Sequence, residues 1–179
     1  MLTTRAVILI VIDTDEDPAE ISAEALALAP EGENRWRAHA LTTHARVLAA
    51  VGRYEEAQVV GMEALALNER LDLNQLASEA ITTLSGLKKA GPREGLRAAL
   101  VEAVARAEAA DAVQAELRAR FLLGRSFEDW AEFDGSEEWF RSAMERAAGA
   151  GLTWAPYGFE ARVQLAWIKW VRGAWDEVL

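Results

Sequence analysis

The segment ARVLAAVGRYEEAQVVGMEALAL, residues 45–67, decides the fold of this chain. Val47 and Leu48 begin an apolar pattern at helical spacing that leads into Gly52. Glycine closes helices because it adopts the left-handed backbone conformation without a steric penalty. A second helical run follows the glycine and is centred on Ala64. The segment therefore predicts two helices joined by a tight turn.

Two independent markers repeat this helical hairpin along the chain. An alanine in an apolar helical context recurs at spacings of 39, 39 and 40 residues, at Ala25, Ala64, Ala103 and Ala143. The turn marker recurs at spacings of 39, 40 and 42 residues, at Gly52, Gly91, Ala131 and Gly173. Because both markers share a period of about 40 residues, the pattern indicates an array of helical repeats.

The residues around each turn suggest how a repeat packs. Ala57 and Ser136 are small enough to let the two helices of a repeat approach closely, and Pro30 is expected to stop the helix before it. The recurring alanine indicates a contact with the next repeat where no side chain larger than a methyl group fits. We expect a wedge between the helices from the aromatic residues two positions after the turn, Tyr54, Phe133 and Trp175.

Composition limits the class of protein. The chain has 179 residues, a net charge of −10, 51% hydrophobic residues and no cysteine, which excludes disulfides and thiolate metal sites. The acidic balance and the lack of a basic run argue against direct contact with nucleic acid. The longest apolar run, Ala6 to Ile12, is too short to span a membrane, and we assign it to the first helix of an initial repeat. We expect a cytoplasmic location.

The hairpin sequence resembles a tetratricopeptide repeat. Residues 45–67 match its pattern at Gly52, Tyr54, Ala57 and Ala64. The segment FLLGRSFEDWAEFDGSEEWFRSAMERA, residues 121–147, matches it at Leu123, Gly124, Phe127, Phe133, Phe140 and Ala143. The third repeat departs from the pattern at Arg93 and Leu96, where an aromatic residue and an alanine are usual.

This resemblance implies an all-α superhelical solenoid of antiparallel helix pairs, about four and a half repeats of ~40 residues in one domain covering 1–179. The pairs are expected at 1–29, 36–70, 74–110, 112–150 and 157–179. An inter-repeat loop is predicted through Trp154, Pro156 and Tyr157. The last pair stops within its second helix, so we expect the chain to be a fragment of a larger protein.

The long, alanine-rich repeats also resemble the sensor arm of large LuxR-type bacterial regulators. Those proteins combine an ATPase module, tetratricopeptide repeats and a DNA-binding helix-turn-helix. The resemblance implies a protein–protein interaction or effector-sensing scaffold inside a bacterial transcriptional regulator.

The repeat register also places a candidate binding groove. In tetratricopeptide repeats, positions 2, 5, 9 and 12 of each first helix face the concave side. Carried over, these positions place five cations and three aromatic rings in the groove: Arg46, Lys88, Lys89, Arg118, Phe121, Arg125, Trp167 and Trp170. Arginine binds carboxylates through paired hydrogen bonds, and tryptophan commonly anchors interfaces. The pattern therefore predicts a protein or peptide partner with an acidic character.

Other interpretations stay open at this point. Lysine and arginine on a helix often form only a solvated face. Trp167 and Trp170 could instead be core residues that pack on the missing second helix of the last pair. The chain could also be a self-associating structural module that forms a homodimer through exposed terminal repeats.

An enzyme is not predicted. His39 and His44, the two histidines, are five residues apart on one helix and point in different directions. No zinc motif, phosphate loop or serine–histidine–acid arrangement accompanies them. We therefore predict no catalytic residue, no metal and no cofactor.

Overall fold

The computed structural model describes residues 1–10, 12, 15–87 and 93–177. In these residues the chain forms nine α-helices and a short 3₁₀ turn at Trp175–Glu177, and no strand. The helices are α1 (Leu2–Leu9), α2 (Pro18–Ala27), α3 (Arg35–Ala50), α4 (Tyr54–Arg70), α5 (Asn74–Leu87), α6 (Arg93–Ala109), α7 (Val113–Glu128), α8 (Phe133–Gly149) and α9 (Pro156–Val171). They form two compact units, residues 1–89 and 90–179.

The first unit contains α1 to α5. Each helix packs against the next, and α3 also packs against α1 and α5. The run from Ala6 to Ile12 is helical only as far as Leu9, where α1 ends, and Val11 lies outside the described residues. The Ala6 side chain lies in a core cluster with Val47 and Leu48. A second cluster joins α3 to α4 and α5 through Leu41 and Leu67. Consecutive helices with short connections that pack together in this way form antiparallel hairpins.

The second unit contains α6 to α9. Here α7 packs against α6, α8 and α9, and α8 packs against α9. The core is built around Phe140, which is fully buried, together with Phe121, Leu165 and Ile168. In both units, therefore, the first helix of a pair packs against its own second helix and against the first helix of the next pair.

The turns between the helices repeat with the same backbone geometry. Gly52, Ala131 and Gly173 close α3, α7 and α9 with φ values of 83°, 56° and 77°, as the turn marker predicts. Gly91 lies outside the described residues. The turns after the second helices, which the sequence markers missed, have positive φ values of 53°, 48° and 71° at Asp72, Asp111 and Gly151. Each turn is closed by a backbone hydrogen bond spanning six residues, such as Arg53 N–H to Leu48 O at 2.9 Å.

The small residues pack as expected. Ala57, Ala64, Ala103 and Ala143 are fully buried, whereas Ala25 is half-buried. The Ser136 hydroxyl donates a hydrogen bond of 2.9 Å to the Gly124 carbonyl, which fixes α8 closely against α7.

Two predictions about aromatic residues and loops are wrong. Phe133 packs against the core, but Tyr54 and Trp175 are 58% and 65% exposed and do not wedge between helices. Tyr54 is the first residue of α4, and the Trp175 indole only donates a hydrogen bond to the Trp170 carbonyl. The predicted loop is shorter than expected because Pro156, a favourable first residue of a helix, begins α9.

A buried carboxylate ties the second unit together. Glu116 of α7 is almost completely buried and accepts hydrogen bonds from Arg120 on α7, at 2.9 Å, and Arg146 on α8, at 2.8 Å. Arg120 also contacts Glu108 of α6 and the Ser142 hydroxyl of α8. Because a buried charge requires partners of opposite sign, this cluster fixes how α6, α7 and α8 meet.

Candidate binding surface

The predicted groove residues fall in both units and have different environments. In the first unit, Arg46 is half-buried on α3. Lys88 and Lys89 lie outside the described residues. In the second unit, α7 contributes three of the residues and α9 contributes Trp167 and Trp170.

The α7 members are largely engaged within the unit. Phe121 is buried, with its ring centroid 5.6 Å from that of Phe140 and 5.8 Å from that of Tyr157. Arg118 is buried as well. Phe121 therefore stabilises the core, and its side chain offers little surface to a partner.

Arg125 remains partly accessible at the end of α7. Its guanidinium lies 3.3 Å from Glu128 and 3.8 Å from Asp129 on the same chain segment. Burial raises the pKa of Glu128, while the Arg125 charge opposes that rise. A carboxylate of a partner would have to compete with these two local acids, so Arg125 is a weaker anchor than the sequence suggests.

Trp167 and Trp170 are exposed. Their rings stack with centroids 5.1 Å apart and an interplanar angle of 22°, and the residues are 52% and 55% exposed. Among the described residues, no neighbour buries these two side chains. Together, the two stacked and half-exposed indoles present a large apolar surface to solvent.

The two tryptophans belong to a longer apolar surface along α9. The helix packs on the core through Gly158, Ala161, Leu165 and Ile168, which recur every three or four residues. Phe159 and Val163 project with the two tryptophans from the opposite side and are nearly half exposed. We call Phe159, Val163, Trp167 and Trp170 the open face of α9.

An arginine and a further tryptophan lie at the beginning of this surface. Trp154 is highly exposed, and its ring centroid lies 6.3 Å from that of Phe159. The guanidinium of Arg162 lies 5.5 Å from the Trp154 ring centroid, a cation–π arrangement. The Arg162 Nε is buried and has no hydrogen-bond partner among the described residues. The sequence patterns did not identify Arg162, although its alignment with Arg120 of the preceding repeat could have done so.

The first unit has a separate apolar cleft of about 770 Å³ between the start of α1, the end of α2 and the start of α3. Leu28, Trp36 and His39 are among its lining residues. Within the part of the chain that the structure describes, no group of three metal-ligating side chains is present, and no helix is both long and apolar enough to cross a bilayer.

Comparison with known proteins defines the fold. No family model matches the chain, and no curated protein matches it. Among solved structures, a Rap protein complexed with Competence and Sporulation Factor superposes on 98% of this chain with a TM-score of 0.78 and 15% identity. The chain spans about half of that protein, 46% of its length.

Two further structures have the same architecture. A putative kinesin light chain from Podosopora anserina, with nearly identical TPR-like repeats, matches 99% of this chain and 87% of its own at a TM-score of 0.66 and 14% identity. BtubC from P. vanneervenii matches 90% of this chain and 67% of its own at a TM-score of 0.67 and 15% identity. The predicted fold class, an all-α array of tetratricopeptide-like helix pairs, is confirmed.

Proposed function

We propose that this chain is a scaffold that binds a protein or peptide, with the open face of α9 as its main anchor. The observation that carries the proposal is the stacked pair Trp167 and Trp170, half exposed on a rigid helix whose opposite side is fixed in the core. Tryptophan contributes strongly to interfaces because one rigid side chain covers a large area. The Rap structure, a complex with Competence and Sporulation Factor, is consistent with a binding role for this fold.

An acidic partner agrees with the cations near this surface. Arg162 adjoins the open face, and Arg125 lies partly exposed on the neighbouring helix α7. The finer proposal, drawn from the sequence resemblance, is that the scaffold senses a partner within a bacterial transcriptional regulator of the LuxR type.

Site-specific photo-crosslinking tests the binding role. We would replace Trp167 with benzoylphenylalanine, irradiate cells of the source organism and identify crosslinked proteins by mass spectrometry. Trp36, which is 71% exposed on α3, is the matched control position. We expect a discrete crosslinked partner at position 167 and none at position 36.

The purified partner should bind the variant Trp167→Ala/Trp170→Ala at least tenfold more weakly, whereas Trp36→Ala should bind normally. No crosslink at position 167, or the same products at both positions, would contradict the proposal.

Self-association is the second candidate function. Besides the open face of α9, the first helix exposes apolar surface at Ile8, and Ile12 beyond its end is also exposed. Two copies could bury these surfaces against each other. Light scattering over a hundredfold concentration range tests this, because a constant monomer mass would exclude it.

A further inference from the structure

The outward side of α4 carries a continuous apolar stripe. Val59, Met62 and Ala66 recur at spacings of three and four residues, so they lie in one line along the helix. All three are exposed, and Val59 and Met62 are 70% and 60% accessible to solvent. Ala57 and Ala64 fix the opposite side of the helix in the core. The stripe is therefore the part of α4 that the fold leaves to solvent.

The stripe is exposed although α4 lies inside the array of helices. It packs against α3, the helix before it, and against α5, the helix after it. The equivalent helix of the second unit, α8, is likewise packed between α7 and α9. The neighbours that cover a second helix of this repeat are thus present around α4, and they leave its outward side open.

Comparison with α8 shows that the repeat does not require apolar residues at the positions of the stripe. The equivalent positions, counted from the turn residues Gly52 and Ala131, hold exposed charged side chains in α8: Glu138, Arg141 and Glu145. Charged residues of this kind are also better helix formers than valine. Val59 and Met62 therefore contribute little to folding, and an apolar stripe exposed at such positions is typical of a contact surface.

Carboxylates surround the stripe. The helix α4 contains four glutamates and one arginine. Glu55 and Glu69 lie at the two ends of the stripe on the same side of the helix, fourteen residues apart. That separation corresponds to about 21 Å along the helix axis. Glu63 flanks the middle of the stripe, and the one arginine, Arg70, is paired with Glu33 at 2.7 Å. The surface therefore attracts a partner that combines apolar residues with positive charge.

We infer that the outward side of α4 is a second docking surface, which binds a basic amphipathic α-helix of a partner protein. Apolar residues of that helix, spaced by three and four, cover Val59 and Met62. Its lysine or arginine side chains, about four turns apart, meet Glu55 and Glu69. A helix suits this surface better than an extended segment, because the backbone of α4 is already hydrogen-bonded and only its side chains are available. The surface shares no residue with the open face of α9, so the inference goes beyond the function proposed above.

Charge argues against a second copy of this chain as the occupant. In a symmetric pair of antiparallel α4 helices, Glu55 would lie opposite Glu69 of the second copy, with Met62 at the centre. A parallel pair would place each glutamate opposite its own copy. Like charges that face each other in this way are unfavourable, and the net charge of −10 adds to the repulsion. For a basic partner both of these electrostatic effects are attractive.

A synthetic basic helix tests the inference. The probe is a fluorescein-labelled peptide of leucine, alanine and lysine, with leucine at every third or fourth position and lysine at both ends. It is titrated against the full 179-residue chain by fluorescence anisotropy, and we expect saturable binding. The variant Val59→Glu/Met62→Arg gives α4 the residues that α8 has at these positions and leaves the net charge unchanged. It should weaken binding by about tenfold or more.

The matched control makes the same charge-neutral change elsewhere in the first unit. Leu28→Glu/Trp36→Arg alters two side chains that are 68% and 71% exposed, and it should leave binding unchanged. Circular dichroism checks that both variants are folded. If Val59→Glu/Met62→Arg loses helix, Val59→Ala/Met62→Ala replaces it and should weaken binding by about fivefold or more.

The carboxylates are tested by Glu55→Gln/Glu69→Gln, with Glu138→Gln/Glu145→Gln on α8 as the control that removes the same charge. The first variant should weaken binding by about fivefold or more, and the control by less than about twofold. A peptide with glutamate in place of lysine should not bind.

The inference is overturned by no saturable binding of the lysine peptide, by equal effects of a test variant and its control, or by equal binding of the two peptides. A homodimer that Val59→Glu/Met62→Arg dissociates, detected by light scattering, would overturn it too, because a second copy would then cover the stripe. Crosslinking at position 167 is unaffected by these results and judges the proposed function separately.

Discussion

At the scale of single residues, Gly124 shows how closely the helices of a repeat approach. A Cβ at this position would lie 2.7 Å from two carbons of the Phe140 ring, and Phe140 is fully buried. We expect Gly124→Ala to destabilise the chain by about 1–3 kcal/mol through overpacking. Gly95→Ala on α6, where nothing lies within 4 Å, is the control and should stabilise by up to about 1 kcal/mol. Urea denaturation measures both, and equal midpoints would contradict the packing described for α7 and α8.

His44 gives a prediction about pH. Its Nδ1 lies 2.7 Å from the Ser22 hydroxyl, and burial and the Arg53 charge lower the pKa of His44, while Glu56 opposes the shift. The unfolded chain therefore binds a proton more readily than the folded one, so this histidine makes stability fall as pH drops below its unfolded pKa of about 6.5. Thermal unfolding at pH 7.5 and 5.5 should show a smaller loss for His44→Gln than for the unmodified chain. His39→Gln, at an exposed position on the same helix, is the control, and identical losses in all three proteins would refute this role.

At the scale of helices, Glu116 joins α7 to α8 from inside the second unit. Its side chain is 1% exposed and accepts hydrogen bonds from Arg120 and Arg146. Glu116→Gln removes the charge and leaves two guanidinium groups with fewer acceptors. We therefore expect it to lower the free energy of unfolding by about 2–4 kcal/mol. Glu102→Gln breaks a comparable but exposed pair with Arg106 and should cost less than about 1 kcal/mol. Chemical denaturation of the two variants tests this, and similar costs would show that the buried cluster does not hold the helices.

The sequence predicted the helices far better than the surfaces. The shared period predicted the boundaries of α3, α4, α7 and α8 within a few residues. The reason is that a tight turn requires glycine, and close helix packing requires alanine, at positions that the local sequence shows directly. Exposure was harder to predict. Phe133 and Tyr54 occupy the same repeat position, but only Phe133 has neighbours that enclose it. Phe121 was assigned to the groove by register, yet the adjacent rings of Phe140 and Tyr157 draw it into the core. Such differences depend on neighbours that lie far away in the sequence.

At the scale of the whole molecule, the repeat accounts for both the stability of the chain and its binding surface. Each helix pair leaves an apolar side that the next element covers. The four residues of the open face of α9 are each 46–55% exposed. These exposed side chains form the surface proposed to bind a partner.

Amide hydrogen exchange along the full chain measures most directly whether the outer face of α9 is open. We predict that amides in the middle of α9 exchange faster than those of α7, because α7 is covered on both sides and α9 on one. Protection of α9 equal to that of α7 in the free chain would contradict the claim that its outer face is open.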